Sequence, residues 1–313
     1  MTSKPIASRF SAAESLGAGD PATIHDYLIE IDDLDAAELF RGDTATGHTL
    51  SVPFIPRSWH PTGMTIGYIA LGASGLAAIT NAAGVEGDEA LINQRVKITL
   101  DKFFVHQYPG SGVHRILCEF AGKNQLPSEA EEMRFALNTE ARDGQAASVS
   151  GHPIFMGVTI SADGISFEGR TINVSSSVDD DVLRALDSPA FKSGLALITS
   201  AQPALKPFAG LATSVVQSAA NRTKNKQVHS FNLGLDFSGT ATSAKLRHGS
   251  YVVVQSDGAG WNWDEFVWDC GSMMLRRKQT NETPHANYMV FGISPYFAAS
   301  TPKGRASKKR KVE

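Results

Sequence analysis

The chain has 313 residues, 42% of them hydrophobic and 19% charged, a globular composition that excludes a fibrous or wholly disordered chain. Its formal charge is −3, but residues 301–313 alone carry +5, which leaves −8 on the body. An acidic body argues against nucleic-acid binding by the folded part, since such binding rests on Lys and Arg displacing counterions. Two cysteines in so long a chain exclude a disulfide framework.

Residues 1–22 are rich in Ser, Ala and Gly without a period and read as a flexible arm. They contain no apolar core of a secretory signal, so an intracellular location is expected. TIHDYLIEIDDL reads as a strand, because Tyr27, Ile29 and Ile31 alternate with Asp26, Glu30 and Asp32. DAAELF reads as a helical turn, and HTLSVPFI as a strand with Pro53 at an edge or bulge. Residues 61–85 carry no charge, which raises a membrane span. Their Gly, Ala, Thr and Asn content fits buried core better: a strand over 64–71, then a small-residue helix.

RVKITLDKFFV is a strand, with Val96, Ile98 and Leu100 alternating with Lys97, Thr99 and Asp101. After the turn HQYPGSG, VHRILCEF and EEMRFALN are further strands. PIFMGVTISADGISFEGRTINV reads as a hairpin about Asp163-Gly164. Helical patterns fill residues 178–222: SSSVDDDVLRALD with acids at its start, and KPFAGLATSVVQSAANR with Pro207 in its first turn. QVHSFNLGLDF, SYVVVQS, DEFVWDC, SMMLRRK and NYMVFGIS are the remaining strands.

This inventory predicts a mainly β (β-rich α+β) chain: an antiparallel Greek-key sandwich with two or three inserted helices, loosely C2-like in strand count and spacing. Strand-helix-strand repetition is absent, which excludes doubly wound and barrel α/β folds. The expected organisation is an arm at 1–22 and a β-rich N-terminal part at 23–94. A sandwich at 95–298 follows, with the helical insertion 178–222, and then a disordered basic tail at 299–313.

The sequence holds no phosphate loop, no GxSxG, no HExxH, no CxxC and no DxDxDG loop. No cofactor and no metal is therefore expected, and no catalytic residue is assigned. His106 and His114 flank a turn and could face each other as ligands; a third ligand is not indicated. Asp32, Asp33 and Asp35, and Asp179, Asp180 and Asp181, could line calcium loops of a C2-like, membrane-associating protein, or simply a strand end and a helix start. His60, His106, His114 and His152 are the candidate bases of a hydrolase with a scattered site. Cys118 and Cys270 sit in apolar strands and read as buried thiols.

The unusual patch is DGAGWNWDEFVWD, with Trp261, Trp263 and Trp268 in eight residues. Trp261, Trp263 and, in the loop PRSWHPTG, Trp59 are candidate partner-binding residues, since Trp offers a large contact area with few rotors; core packing is the equal alternative. The expected function is a non-enzymatic protein-binding or scaffold protein with another protein subunit as partner; membrane association, C2-like or pore-forming, and hydrolysis at a scattered site are the alternatives.

The chain ends in KKRKV, over Lys308, Lys309, Arg310, Lys311 and Val312. This peptide resembles the basic nuclear localisation signal of polyomavirus large T-antigens, although Ser307 stands where that signal has another lysine. The resemblance implies an import receptor as partner and a nuclear location if the signal is used, cytoplasmic otherwise. A solubilising or nucleic-acid-touching arm, or one docking on an acidic surface, are the other readings of the tail.

Overall fold

The computed structural model describes residues 9–41, 57–125, 130–175, 217, 224–258 and 260–297. The expected strand HTLSVPFI, the helices of 178–222, the second Asp cluster and the basic tail lie outside them. Two helices come first, α1 (Pro21–Glu30) and α2 (Leu34–Glu38). The strands are β1 (Met64–Ala70), β2 (Leu76–Ala78), β3 (Thr80–Asn81), β4 (Arg95–Val105), β5 (His114–Gln125), β6 (Ala130–Ala141), β7 (Gln145–Ala146) and β8 (His152–Thr159). After them come β9 (Ile165–Asn173), β10 (Lys226–Asp236), β11 (Ala244–Lys245), β12 (Gly249–Gln255), β13 (Phe266–Asp269), β14 (Met274–Arg277) and β15 (Tyr288–Pro295).

The fold is a mainly antiparallel β sandwich, as the alternation predicts. One sheet has seven strands in the order β3-β1-β12-β15-β4-β7, with β8 also on β4; the facing sheet runs β11-β10-β9-β5-β6. Phe291 of β15 sits between the sheets, 5.3 Å from both Phe167 and Phe231 and 5.9 Å from Phe120 between ring centroids. Such contacts are the edge-to-face and tilted pairs that aromatic cores favour. Gly169 of β9 leaves room for this cluster, since a Cβ there would stand 2.5 Å from the Phe231 ring.

A third, small sheet, β14-β13-β2, lies on the outer face of the seven-stranded sheet. It builds a second core. Val252 and Val254 of β12, Val290 of β15 and Phe104 of β4 point outward into it and meet Trp263, Phe266, Trp268 and Leu275. The seven-stranded sheet is therefore buried on both faces over much of its area, and its strands carry apolar residues on both sides.

Five expectations change. TIHDYLIEIDDL is mostly helix: Asp20 caps α1 by accepting from the Thr23 amide at 3.0 Å, Pro21 opens it, and Ile24, Tyr27 and Leu28 form its buried stripe. Residues 9–20 are not a free arm, because Phe10 and Leu16 are buried and Gln227 donates to the Ser11 carbonyl at 2.8 Å. The stretch after Leu71 is β2, β3 and a single 3₁₀ turn rather than a helix. The expected hairpin at Asp163-Gly164 is a corner: β8 pairs with β4, β9 pairs with β5 and β10, and only the bridge Ser161–Gly164 joins the two arms. The division at 94/95 separates no sheets, since β1 pairs with β12 along its whole length.

Candidate functional site

The sequence-nominated residues are mostly structural. Trp59 is 1% exposed, stacks on Phe40 at 5.7 Å, and its carbonyl accepts from the Gln255 side chain at 2.9 Å. Trp263 is 6% exposed; its ring lies against Gly67 of β1. Neither side chain is available to a partner, which corrects the expectation for both. Trp261 is partly exposed and stacks on Phe266 at 4.6 Å, at the margin of the second core. The tryptophan cluster therefore packs the cover sheet onto the sandwich.

The histidines do not form a joint site. His114 is buried, its Nε2 2.7 Å from Asp143 Oδ1, whereas His106 stacks on His285 at 4.6 Å. Each ring has its own neighbour instead, Asp143 for His114 and His285 for His106. His60 packs against Phe40, and His152 against Phe135. No group of three or more possible metal ligands occurs among the described residues. Asp33 caps α2 through the Ala36 amide and also accepts from the Gly110 amide at 2.9 Å, so it ties a loop down. Cys118 is fully buried, and its thiol is pushed far up by desolvation; Cys270 is partly exposed, and both are free. Residues 61–85 form β1 to β3 and a 3₁₀ turn, and no helix among the described residues is long and apolar enough to cross a membrane.

The arrangement with chemical content lies where the cover sheet ends. There a cleft of about 320 Å³ opens between the outer face of the seven-stranded sheet and the rim residues Trp268 and Cys270. Its floor is one pleated face: Lys97, Thr99 and Asp101 of β4, Gly292 and Ser294 of β15, and Ser250 of β12. Thr99 pairs with Gly292 and Ser250 with Gly292, so a row of small and hydroxyl-bearing residues crosses three strands. The turn Leu71–Ala73 forms part of the mouth, with Leu71 exposed.

Asp101 is positioned by two devices. The register between β4 and β15 slips so that Val290 faces Lys102 and Phe291 faces Leu100, which leaves Asp101 as the extra residue of a β-bulge. Bulges re-aim a side chain, and they are frequent beside functional sites. The second device is Gly292. A Cβ there would stand 2.5 Å from Asp101 Oδ2 and 2.7 Å from Thr99 Oγ1, so only glycine lets both side chains lean across β15. Thr99 donates to Asp101 Oδ1 at 2.7 Å. Burial pushes the Asp101 carboxyl above its ordinary value; the Thr99 hydrogen bond and the Lys97 charge offset this only in part. Neither Asp101 nor Lys97 has an ion-pair partner among the described residues.

The alternation of β4 in the sequence assigns this floor no role. A signal was nevertheless present. Inward residues run 96, 98, 100 and then 103, 105, and that change of phase is the bulge. A second void, of about 10 Å³, lies between the two main sheets beside Tyr108, Thr171 and His229; it holds no more than a single water molecule. Comparison with protein-family models, curated proteins and solved structures gives no match.

Proposed function

We propose that the chain is a non-enzymatic binding protein, and that it holds its ligand in the cleft beside the cover sheet. The observation that carries this is Asp101: a partly buried carboxyl, aimed by a bulge into a polar cleft and short of donors. An acid held above its ordinary range by burial, with no ion-pair contact and only the more distant Lys97 charge acting on it, is a candidate for function in a concave site.

The same cleft gives hydrolysis no support. It gathers an acid, hydroxyls and the Cys270 thiol, but no histidine lines it. The protein-partner reading loses two of its three tryptophans to the core. It now rests on the partly exposed Trp261, a narrower basis than the cleft. The tail reading is independent of both. Lys308 to Lys311 would serve as an address read by an import receptor, which a fluorescent protein fused to residues 299–313 tests: nuclear accumulation that is lost on replacing the four basic residues supports it, and uniform distribution contradicts it.

The test of the cleft is a ligand-observed NMR screen of small polar molecules against the full chain and Asp101→Asn. Hits that bind the parent chain and lose at least about tenfold in the variant support the reading. Hits indifferent to Asp101, or no hits at all, contradict it.

A further inference from the structure

The cleft's charges narrow the ligand class. Lys97, Thr99 and Asp101 share one face of β4, with about 7 Å between successive side chains on that face. The cleft is therefore lined by an acid and, two positions along the same face from Thr99, by an ammonium whose charge acts on that acid, with the Thr99 and Ser250 hydroxyls in the same lining. Each charge lacks an ion-pair partner among the described residues. Asp101 Oδ2 accepts from none of the described residues and lies over Gly292, open to the cleft.

Resting on the reading of the cleft as a ligand seat, we infer that it takes a small zwitterion, with the ligand's ammonium on Asp101 and its carboxylate on Lys97. Other classes meet a like charge. A phosphate or dicarboxylate would be drawn to Lys97 but repelled by Asp101, and a polyamine or basic peptide would meet Lys97. An uncharged polyol would leave both charges partly desolvated and unpaired, which costs free energy. A volume of about 320 Å³ has room for a ligand of the size of an amino acid or dipeptide. Separation of the two charges along β4 favours a ligand with its charged groups at opposite ends, as in a dipeptide or an ω-amino acid, over an α-amino acid whose charges share one carbon.

The probes are glycylglycine, 5-aminopentanoate, acetate, methylammonium and glucose, titrated into the full chain while the amide resonances of Thr99, Ser250 and Gly292 are followed. The expected result is that glycylglycine or 5-aminopentanoate shifts these resonances, and that acetate and methylammonium bind at least about tenfold more weakly. Asp101→Asn and Lys97→Met each lower zwitterion affinity by a similar factor; Lys97 is half-exposed and methionine keeps its length, so the second variant remains informative if the first unfolds. If acetate, methylammonium or glucose binds as well as the zwitterions, the zwitterion assignment is overturned while the cleft stands as a ligand seat. If no probe shifts the cleft resonances at about 100 mM, weaker than the millimolar end of specific binding, the assignment and the binding reading both fail.

Discussion

Replacing Trp263 by alanine separates a packing role from a recognition role for the tryptophan cluster. The side chain is 6% exposed and lies between Gly67 and Ile79 of the outer sheet face and Trp261 of the cover. Its removal leaves a cavity under the cover sheet, a class of change that costs about 3–5 kcal/mol. The reciprocal change is Gly67→Ala. Its Cβ would stand 2.7 Å from the Trp263 ring and 2.6 Å from Ile79 Cγ2, an overpacking expected to cost roughly 1–3 kcal/mol. Combined, the two changes partly relieve each other, because the alanine Cβ enters space the ring has left. The double variant is therefore expected to be less destabilised than the sum of the singles, by about 1 kcal/mol or more. Urea unfolding with a fixed m-value measures all three variants. A Trp263→Ala cost under about 1 kcal/mol, or additive effects, would refute the packing between cover and sheet.

Three further outcomes are expected. His229 is buried, and desolvation holds it at about 4 in the folded state against an ordinary 6.5. The unfolded chain therefore takes up the proton first as pH falls: the contribution is intact above 6.5 and is lost down to about 4, roughly 3 kcal/mol in all, and His229→Gln should flatten that slope in a pH series of melts. Asn287 accepts from the His106 and Gln107 amides at 2.8 and 3.2 Å and donates to Gln255 and the Ser58 carbonyl; Asn287→Ala strands buried groups and should cost on the order of 3 kcal/mol by denaturant titration. Gly292→Ala displaces only the ends of Asp101 and Thr99, so stability should change by about 1 kcal/mol or less in the same assay while affinity for any cleft ligand falls.

Where one face of a strand is buried and its path is regular, the sequence is easy to read. β4 as far as Leu100 and β10 from Phe231 onward alternate, and their inward sets, Val96, Ile98 and Leu100, and Phe231, Leu233 and Leu235, are all in the core. Helix α1 misleads because Tyr27, Ile29 and Ile31 also satisfy a period of two. The decisive signal is local: Asp20-Pro21 is a capped helix start, and Ile29, apolar by type, is exposed. The corner at Asp163-Gly164 defeats pattern reading for a different reason. Two strands on opposite sheets show the same alternation as two strands of a hairpin, and only long-range pairing distinguishes them. Ala77 reads as helix material and Gly67 as an ordinary strand position, yet Trp268 lies beside the first and Trp263 beside the second, where only small residues fit. Whether a tryptophan is covered depends on a third sheet assembled from residues nearly 200 positions apart, Leu76 and Met274 among them. The cleft is legible only in hindsight, through the phase change after Leu100.

The measurement that bears most directly on the account is a carboxyl titration of Asp101, followed by carbon NMR with and without glycylglycine. The expected midpoint lies above the 3.8 of an ordinary aspartate in the free chain and moves down when the zwitterion's ammonium is bound. An ordinary midpoint that ignores the ligand would mean an open, solvated surface acid and would contradict the assignment of the cleft.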